Sequence, residues 1–599
     1  MEDFRRLFDI LPYQAAKYPQ KVAIAHRHLG RWQTFSTQEL IKQIQYTAAG
    51  LLDLGLKKGQ KVAILANHGS AWWNILDMAL HQVGLAVVPI HATTTPFDLE
   101  YILHDSEAVY CFVGGEELKE KAREATQKVP SVKELFSLEP MEGLHSLQDL
   151  QTTPLENHLA QLETYRAVIH EDDPCTIIYT SGTTGRPKGV LLSHKNIISN
   201  IKATIALIPV NRKHQVISYL PLSHVFERMV IYTYMAVGAS IYYTKSINHL
   251  IKDLREIRPH YLTSVPRLLE KVQKQVVQAA MQKTWPARKT MLYALKFGRK
   301  YSPRKKRNPF YWLQWQLLRI LVYRKWKKFF GRHLKGIFVG AAPLQPELAR
   351  LFSAAGIEVR EGYGLTETSP VISFNQFNKG MYRFGTVGVP IPGVEVRIQT
   401  RENSDSGEIC VRGPNVMLGY HKLPEETAAA IDQDGWFHTG DEGRWVDRRF
   451  LQITGRIKDL FKTSSGKYIS PLKLEERLKR SPWIEQCIVI GTGRPFPLAL
   501  IVPCFPLLED WCKENEVHWT APIYMVHNPR VLQKMRNTIE EINQEFEPHE
   551  QIRDLLLLPE EWTTENELLT PTLKPIRYRI EKQYQKDIDK IYEKHLPKG

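Results

Sequence analysis

Residues 175–190 read CTIIYTSGTTGRPKGV, an apolar β-rich run followed by a segment of small and hydroxylated residues that contains Lys188. Serine, threonine and glycine leave backbone N–H groups unobstructed and add hydroxyl donors, and a lysine supplies the positive charge that a polyphosphate needs. The segment is not a Walker loop, because Pro187 stands where that motif requires glycine and Gly189 where it requires Ser or Thr. We therefore predict a phosphate-binding loop at the end of a strand, with a random turn of the same composition as the alternative.

The residues on both sides of this loop alternate strand and helix signals. STQE at 36–39 has capping-box spacing before an apolar-periodic run that ends near Gly55, and 70–83 is a second predicted helix. Buried strands are predicted at 61–66 (KVAILA), 86–90 (AVVPI), 175–180 (CTIIYT), 217–222 (ISYLPL), 261–265 (YLTSV) and 336–340 (GIFVG). This order is typical of an α/β fold with parallel sheets covered by helices, in which ligands bind at the carboxyl ends of strands.

The pattern of predicted secondary structure changes at about residue 385. Short strands with glycine turns are predicted at 387–400, 407–414, 435–445 and 450–456, which together indicate a small β-barrel-like part. After Arg456 the chain has its own helices and strands, enough for a small mobile α+β domain. We therefore predict a large N-terminal domain at 1–456 and a C-terminal domain at 457–599.

Composition describes an ordinary globular protein with more than one core: 599 residues, of which 43% are hydrophobic and 24% charged. We see no secretory or transit signal and no apolar run long enough to span a membrane. The six scattered cysteines indicate reduced, packed thiols in the cytoplasm and no zinc site.

The net charge of +16 comes from one segment. Residues 283–335 contain 17 Lys or Arg and no Asp or Glu, and the rest of the chain is nearly neutral. Aromatic residues accompany the cations, among them Trp285, Tyr293, Phe297, Trp312, Trp315, Trp326, Phe329 and Phe330. This basic-aromatic helical insertion suits an anionic membrane surface. The alternative is a solvated helical hairpin whose aromatic residues pack on the body, and the absence of a recognisable motif disfavours nucleic acid.

The loop at 179–190 resembles the signature of the adenylate-forming superfamily of acyl-CoA synthetases, peptide-synthetase adenylation domains and luciferases. The resemblance runs in order through GAAP (340–343), EGYGLTE (361–367), TGD (439–441), GRIKD (455–459) and LLTPTLKPIRYRI (568–580). It implies that ATP or AMP is bound by Thr180, Ser181, Gly182, Thr183, Thr184, Gly185, Lys188, Gly340, Ala341, Ala342, Glu361, Gly362, Tyr363, Gly364, Thr366, Asp441 and Arg456.

Within that set, the resemblance implies that Tyr363 stacks on adenine and that Thr366 contacts phosphate. Glu367 and Thr184 would hold Mg²⁺, a hard cation suited to oxygen ligands. Asp441 would accept from the ribose hydroxyls beside Arg456. A structural ion pair at a turn is the alternative for these last two residues.

The same resemblance implies two half-reactions in one site. Lys574 would be the catalytic lysine that stabilises charge during adenylation, with Lys188, Thr366 and Glu367 as further catalytic residues. The small domain would then turn about Lys458, and the loop around Gly466 would line the tunnel of the attacking thiol. An exposed loop lysine is the alternative for Lys574.

The substrates follow from the branch of the family. SYLPLSHVFERM (218–229), GPNVMLGYHKLPEET (413–427), DGWFHTGD (434–441) and ENELLTPTLKPIR (565–577) are of the long-chain acyl-CoA synthetase type. The substrates implied are a long-chain fatty acid, ATP and CoA, with Mg²⁺, and His224 and Val265 would line the acyl channel. We expect His224 to be part of the channel wall and not a proton donor.

Two rival functions stay open from the sequence. An acyl carrier protein could dock on the basic segment and replace CoA as the thiol, or the chain could be a silent relative that binds lipid or acts as a scaffold. The protein would lie in the cytoplasm or on the cytoplasmic face of a membrane. The sequence leaves open whether it is a monomer or a homodimer.

Overall fold

The computed structural model of the protein describes residues 3–152, 155–180, 186–303, 308–400, 405–464, 467–563, 566–570 and 575–595. The chain forms two compact units. The first comprises residues 1–397, 410–438 and 447–451, and the second comprises residues 398–409, 439–446 and 452–599.

Strands and helices alternate through most of the chain. The strands, β1 to β25 in chain order, are Ile24–His28, Arg31–Phe35, Lys61–Ala66, Ala86–His91, Ala108–Gly114, Glu134–Ser137, Pro174–Thr180, Lys188–Ser193, Gln215–Ser218, Ser240–Tyr243, Tyr261–Ser264, Gly336–Val339, Glu358–Gly364, Val371–Phe374, Val389–Pro390, Glu395–Thr400, Gly407–Arg412, Gly419–Tyr420, Phe437–Val446, Phe450–Arg456, Phe461–Lys462, Tyr468–Ile469, Ile484–Ile490, Leu498–Pro503 and Asp554–Leu557. The α-helices, α1 to α20 in chain order, are Ile10–Lys17, Thr37–Asp53, Ala71–Gln82, Pro96–Ser106, Lys119–Gln127, Leu159–Ala167, His194–Ile205, Val225–Ala236, Ile247–Ile257, Pro266–Met281, Trp285–Arg299, Pro309–Leu318, Arg324–Phe329, Pro346–Ala354, Pro424–Ala430, Pro471–Leu478, Phe505–Glu514, Pro522–Met525, Pro529–Asn543 and Arg577–Lys594.

Two mixed sheets form the centre of the first unit. A seven-stranded sheet has the order β18-β8-β7-β4-β3-β5-β6 and a nine-stranded sheet has the order β15-β14-β13-β12-β11-β9-β10-β1-β2. The inner strands of both sheets pair in parallel, as β3 does with β4 and β5 and as β12 does with β11 and β13. The predicted α/β architecture is confirmed, and antiparallel strands are added only towards the edges.

Local signals set several elements as predicted. Ser36 caps α2: its Oγ accepts from the N–H of Glu39 at 3.2 Å, and the Glu39 carboxylate accepts from the N–H of Ser36 at 2.7 Å. Gly55 follows the helix with a positive φ of 69°, a conformation that glycine adopts without steric cost. The strand predicted at 217–222 was wrong at its end. It ends at Ser218, because Pro221 has no N–H for pairing and the backbone then turns towards α8.

Short strands follow in the middle of the sequence, as predicted. β16, β17, β19 and β20 form a four-stranded sheet in that order. Within the second unit, β23, β24 and β25 form a three-stranded sheet in which β23 pairs antiparallel and β25 pairs parallel to β24. Helices α16 and α19 pack on it through a cluster of buried aliphatic residues.

The basic segment folds as α11, α12, a π-helical turn at Arg319–Tyr323, and α13. Its aromatic residues divide between two environments: Trp315, Trp326 and Phe330 are buried, whereas Trp285, Tyr293 and Trp312 are exposed. The side chain of Phe329 lies outside what the structure describes. Packing on the body, one of the two interpretations of this segment, therefore accounts for only part of it.

Two further findings concern the cysteines and the helices of the described residues. All six cysteines are buried and free, as predicted for reduced, packed thiols. No helix among the described residues is long and apolar enough to cross a membrane.

Candidate functional site

The predicted phosphate loop connects two antiparallel strands. β7 ends at Thr180 and β8 begins at Lys188, and these two residues are paired across the hairpin. The sheet thus holds both ends of the loop close together, with Lys188 at its exit. Five predicted contacts of the nucleotide in the loop lie outside the described residues: Ser181, Gly182, Thr183, Thr184 and Gly185.

Lys188 belongs to a cluster that the sequence did not indicate. Its ammonium group forms an ion pair with Glu426 on α15. The same group lies over the ring of Tyr420, with 5.5 Å between Nζ and the ring centroid. Tyr420 is in place because β18 pairs with β8, so that Tyr420 lies opposite Val190. The cation is therefore held by one carboxylate and one aromatic face.

Tyr420 also contacts a second predicted site residue. Its hydroxyl donates to Oε1 of Glu367 at 3.1 Å, and the backbone carbonyl of Glu367 accepts from the N–H of Met417 at 2.9 Å. Burial, followed by the negative charge of Glu367, raises the pKa of Tyr420. The phenol therefore remains a proton donor at neutral pH. The structure brings together Lys188 and Glu367 through this one side chain.

The segment after β12 is held by β13. Oε1 of Glu361 accepts from the N–H of Leu344 at 3.0 Å, which ties the turn that contains Gly340, Ala341 and Ala342 to the neighbouring strand. Ala341 has a φ of 67°, so the turn includes a left-handed residue. A Cβ on Gly340 would lie 3.1 Å from the ring of Phe226, so that a larger residue there would require this ring to shift slightly. Glu361 therefore has a visible role in the shape of the turn.

The second predicted nucleotide segment ends β13. Gly362, Tyr363 and Gly364 are its last residues, and Thr366 begins a short 3₁₀ turn. A Cβ on Gly364 would lie 1.8 Å from the carbonyl oxygen of Pro370, so that only glycine fits. The hydroxyl of Thr368, which the sequence did not indicate, donates to that same oxygen at 2.6 Å. This turn sets the direction in which Thr366 and Glu367 leave the strand.

The predicted acyl-channel residues lie at the starts of two helices. His224 is the residue before α8, and its Nδ1 accepts from the N–H of Phe226 at 3.2 Å. Val265 is buried and precedes α10. His224 therefore has a capping contact at the start of α8, and its place in the wall of the acyl channel stays a prediction.

A buried carboxyl group lies one turn further along α8. Oε1 of Glu227 accepts from the hydroxyl of Ser218 at 2.5 Å, while Oε2 has no hydrogen-bond partner among the described residues. Burial raises the pKa of Glu227 from its ordinary 4.5 to about 8. The group is thus largely protonated at neutral pH. Neither its burial nor its protonation is visible in the sequence, where it reads as one acid in HVFERM.

Asp441 and Arg456, the predicted ribose pair, are in contact in the second unit. Nε of Arg456 donates to Oδ1 of Asp441 at 2.8 Å, and Asp441 is buried. The turn is closed by Thr439, whose Oγ1 accepts from the N–H of Asp441 at 3.1 Å and donates to the carbonyl of Ile409 at 2.8 Å. An ion pair is compatible with both interpretations of these residues, so the ribose role stays a prediction.

The structure gives no side-chain contacts for three predicted residues of the second unit. Lys574 and Gly466 lie outside the described residues. The backbone of Lys458 is in a 3₁₀ turn at Ile457–Asp459, but its side chain is outside what the structure describes.

Two protein-family models match most of the chain. The family described as AMP-binding enzyme matches residues 11–421, and the family described as AMP-binding enzyme C-terminal domain matches residues 458–596. A long-chain-fatty-acid–CoA ligase of Mycobacterium bovis is 33% identical over 577 residues, which cover 94% of this chain and 93% of that protein. Long-chain-fatty-acid–CoA ligase 6 of Mus musculus is 29% identical, with coverage of 94% and 83%.

A solved structure gives the same fold. The adenylation domain of a carboxylate reductase from Mycobacterium chelonae superposes with a TM-score of 0.76 at 21% identity. The match covers 98% of this chain and 91% of that one. At this level of identity the likeness shows the architecture alone.

Proposed function

The chain belongs to the AMP-binding enzyme family, and we propose that it is a long-chain fatty acid:CoA ligase that consumes ATP. It joins the acid to AMP with release of pyrophosphate, and then transfers the acyl group to the thiol of CoA with release of AMP. The observation that carries this proposal is the 33% identity to a long-chain-fatty-acid–CoA ligase over nearly the whole length of both proteins. The cluster of Lys188, Tyr420 and Glu367 supports it from the geometry of the site.

The chemistry of the first step explains why cations are needed. A carboxylate oxygen attacks the α-phosphorus of ATP, so two anions approach each other and negative charge accumulates on the phosphate oxygens. We propose that Lys188 is directed at these oxygens from the exit of the hairpin and that Lys574 neutralises the charge that develops on the carboxylate and α-phosphate. Since Lys188 is paired with Glu426, ATP has to compete with that carboxylate for the ammonium group.

The donor set around Glu367 fits a divalent cation bound with ATP. Glu367 offers carboxylate oxygens, and one of them already accepts from Tyr420 at 3.1 Å, which orients the group. Thr184 and Glu367 are the proposed protein ligands. Mg²⁺ supplies charge neutralisation on phosphate oxygens, and its preference for oxygen ligands matches these residues. The role of the protein is to hold the carboxylate of Glu367 in a fixed orientation.

The remaining nucleotide contacts are also proposals. In the first unit, Tyr363 stacks on adenine and Thr366 donates to the α-phosphate, with Gly340, Ala341, Ala342 and Glu361 forming the wall of the adenine site. Asp441 accepts from the ribose hydroxyls, and its contact with Arg456 fixes the orientation of its carboxylate. We propose residues 1–456 and 457–599 as the two domains. The second domain turns about Lys458 after the first half-reaction. The loop at Gly466 then lines the CoA tunnel.

The acyl chain is proposed to lie along α8 and the start of α10, where His224 and Val265 form part of the wall. Both residues are in the first unit and both begin helices that follow strands of the nine-stranded sheet. An apolar wall is what a long acyl chain requires, since burial of its methylene groups supplies the binding energy.

Location and partners beyond the substrates are also proposed. We propose that the protein lies in the cytoplasm or on the cytoplasmic face of a membrane. The membrane and an acyl carrier protein both remain predicted partners of residues 283–335.

The proposal is tested by the products. The purified protein is incubated with ATP, Mg²⁺ and oleate, pyrophosphate and AMP are followed, and CoA and holo acyl carrier protein are supplied in parallel as acceptors. Oleoyl-CoA together with AMP is the expected result. Oleoyl carrier protein alone would contradict CoA as the acceptor and retain the first step.

A matched pair of variants connects the activity to the site. Lys574→Ala is expected to abolish pyrophosphate release, whereas Lys590→Ala, an exposed lysine of α20 that pairs with Asp587, leaves it unchanged. The absence of AMP with oleate and with shorter or aromatic acids would contradict the ligase, and a silent lipid-binding or scaffold protein would then be the better account.

A further inference from the structure

Helix α12 and the π-helical turn after it are apolar on two opposite faces. Residues three and four apart share one face of a helix, and the buried face carries Trp315, Leu318 and Val322. The opposite face, here called the outer stripe, consists of Phe310, Leu313, Leu317, Ile320 and Leu321. Phe310 is 87% exposed, and the other four residues are 53–54% exposed. A helix needs only one apolar face to join a core, so the outer stripe requires a different partner.

The inner face is fully used by the first unit. Nε1 of Trp315 donates to the carbonyl of Ala354 at 3.0 Å, and the hydroxyl of Tyr323 donates to the carbonyl of Ala294 at 2.7 Å. Gly298 of α11 lies so close to α14 that a Cβ would be 2.4 Å from Leu351. The helices are therefore anchored, and the outer stripe is not an unfinished part of the core.

Helix α11 extends the apolar surface beside the stripe. The rings of Phe297 and Tyr311 lie 4.9 Å apart, and the side chains of Gln314 and Tyr293 are hydrogen-bonded. The residue that is earlier in α11, Tyr293, contacts the residue that is later in α12, Gln314. Helices α11 and α12 are therefore antiparallel. Tyr293 is 47% exposed and adds an amphipathic ring at the edge of the stripe.

The surface around the stripe is strongly positive. The described residues 283–303 and 308–335 contain 13 Lys or Arg and no Asp or Glu. In the described parts of this segment, none of these cations forms an ion pair with a carboxylate. Burial, together with the positive charges of Arg319 and Lys335, lowers the pKa of Lys327. Among the described residues, the positive charge of this segment is thus not neutralised by a carboxylate of the protein.

We propose that the outer stripe inserts into the interfacial region of an anionic phospholipid bilayer while the surrounding cations contact the lipid phosphates. A bilayer offers an apolar layer directly beneath a plane of negative charge, which is the arrangement that an apolar stripe flanked by cations matches. An acidic protein would neutralise the cations but would also need an apolar groove for the stripe. Membrane docking at α12 does not depend on the ligase chemistry, and it is measured without ATP or fatty acid.

The test is co-sedimentation of the full-length protein with vesicles. Vesicles of phosphatidylcholine alone are compared with vesicles in which about a third of the lipid is phosphatidylglycerol, at low and at high salt. We expect binding to be more than about tenfold tighter to the anionic vesicles at low salt, and to weaken as salt is added.

Two double variants separate the stripe from exposed apolar residues in general. Leu317→Glu with Ile320→Glu places two charges in the stripe, and we expect it to weaken binding by about a hundredfold. The matched control is Ile523→Glu with Tyr524→Glu, because these residues are 56% and 70% exposed on α18 and lie outside the basic segment. The control is expected to bind as the wild type does. The thermal unfolding midpoint and the ligation rate with a soluble short-chain acid verify that both variants are folded.

Three results would overturn the proposal. The wild type could remain in the supernatant with anionic vesicles, or the stripe variant could sediment as the wild type does. In the third, the wild type binds no vesicles but forms a dimer or binds acyl carrier protein, and the stripe variant loses that interaction. The stripe would then be the binding surface of a protein partner.

Discussion

At the scale of single residues, Tyr420 is the side chain that links two predicted catalytic groups. It supports the ammonium group of Lys188 with its ring and the carboxylate of Glu367 with its hydroxyl. The two functions of the side chain can be separated by substitution, because phenylalanine keeps the ring and removes only the hydroxyl.

We expect Tyr420→Phe to lower kcat/KM for pyrophosphate release by about ten- to a hundredfold, the value of one hydrogen bond to a charged group. The reason is that Glu367 loses the donor that fixes its orientation. The rates are measured over a range of ATP and Mg²⁺ concentrations. Tyr592→Phe is the matched control, since it removes a buried phenol's bond to the carbonyl of Phe496, and an equal loss of activity in that variant would contradict a specific role for Tyr420.

Glu227 provides a second prediction at this scale. Its pKa in the folded protein is about 8 and lies above the ordinary 4.5, so the folded state holds the proton more tightly than the unfolded state. The stabilisation is therefore complete below about pH 4.5 and is lost as the pH rises to about 8. Nearby phenols do not titrate in this range, because burial raises the pKa values of Tyr219, Tyr234 and Tyr243.

We expect Glu227→Gln to remove this pH dependence. The difference in free energy of unfolding between wild type and variant should change by up to about 5 kcal/mol, in favour of the variant, from about pH 4.5 to about pH 8. Chemical denaturation at several pH values measures it. A difference that stays constant with pH would show that the Glu227 carboxyl titrates alike in the folded and unfolded states.

At the scale of elements, the glycines of β13 decide the path of the backbone into the site. Gly362 and Gly364 are two residues apart, but a Cβ would meet the ring of Phe374 at 3.2 Å in the first case and the carbonyl oxygen of Pro370 at 1.8 Å in the second. A ring can rotate away, whereas the carbonyl of Pro370, just before β14, moves only with its backbone.

Gly364→Ala is accordingly expected to destabilise the first unit by at least about 1–3 kcal/mol, and Gly362→Ala by clearly less. Thermal unfolding without nucleotide is the measurement, so that loss of a ligand contact does not enter. Equal effects of the two substitutions would contradict the steric account.

The start of helix α2 is a second local structure that depends on a single residue. Ser36 and Glu39 satisfy each other's N–H groups at the start of α2, and Ser36→Ala is expected to cost about 1 kcal/mol of stability, while Ser36→Thr retains most of it. The thermal unfolding midpoints of the two variants provide the measurement. A midpoint for the alanine variant equal to that of the wild type would contradict the cap.

At the scale of the whole molecule, the proposed mechanism uses a different arrangement of the chain for each half-reaction, with Lys458 as the proposed hinge. Proline at that position fixes φ near −65° and removes one N–H. We expect Lys458→Pro to retain pyrophosphate release in a single turnover and to slow acyl-CoA formation by more than about tenfold. Lys574→Ala is the converse case, with loss of the first step. Equal slowing of both steps by the proline would contradict a hinge.

Much of the architecture could be predicted from the sequence, because its signals are local. The alternation of strands and helices, the cap at Ser36 and the boundaries of β3 follow from residues only a few positions apart. The order of the motifs from 179 to 580 likewise indicated the family. The long-chain ligase function, inferred from short segments, agrees with the relatives that cover 94% of the chain.

Only the tertiary structure decided which distant side chains meet. Tyr420 and Glu367 are 53 residues apart, and Glu426 is 238 residues from Lys188, so their contacts depend on the pairing of β18 with β8. In α12 the sequence alone determined that apolar residues occupy both faces. Packing of Trp315 against α14 decided which face is buried and which is exposed, because a helix can present only one side to a core.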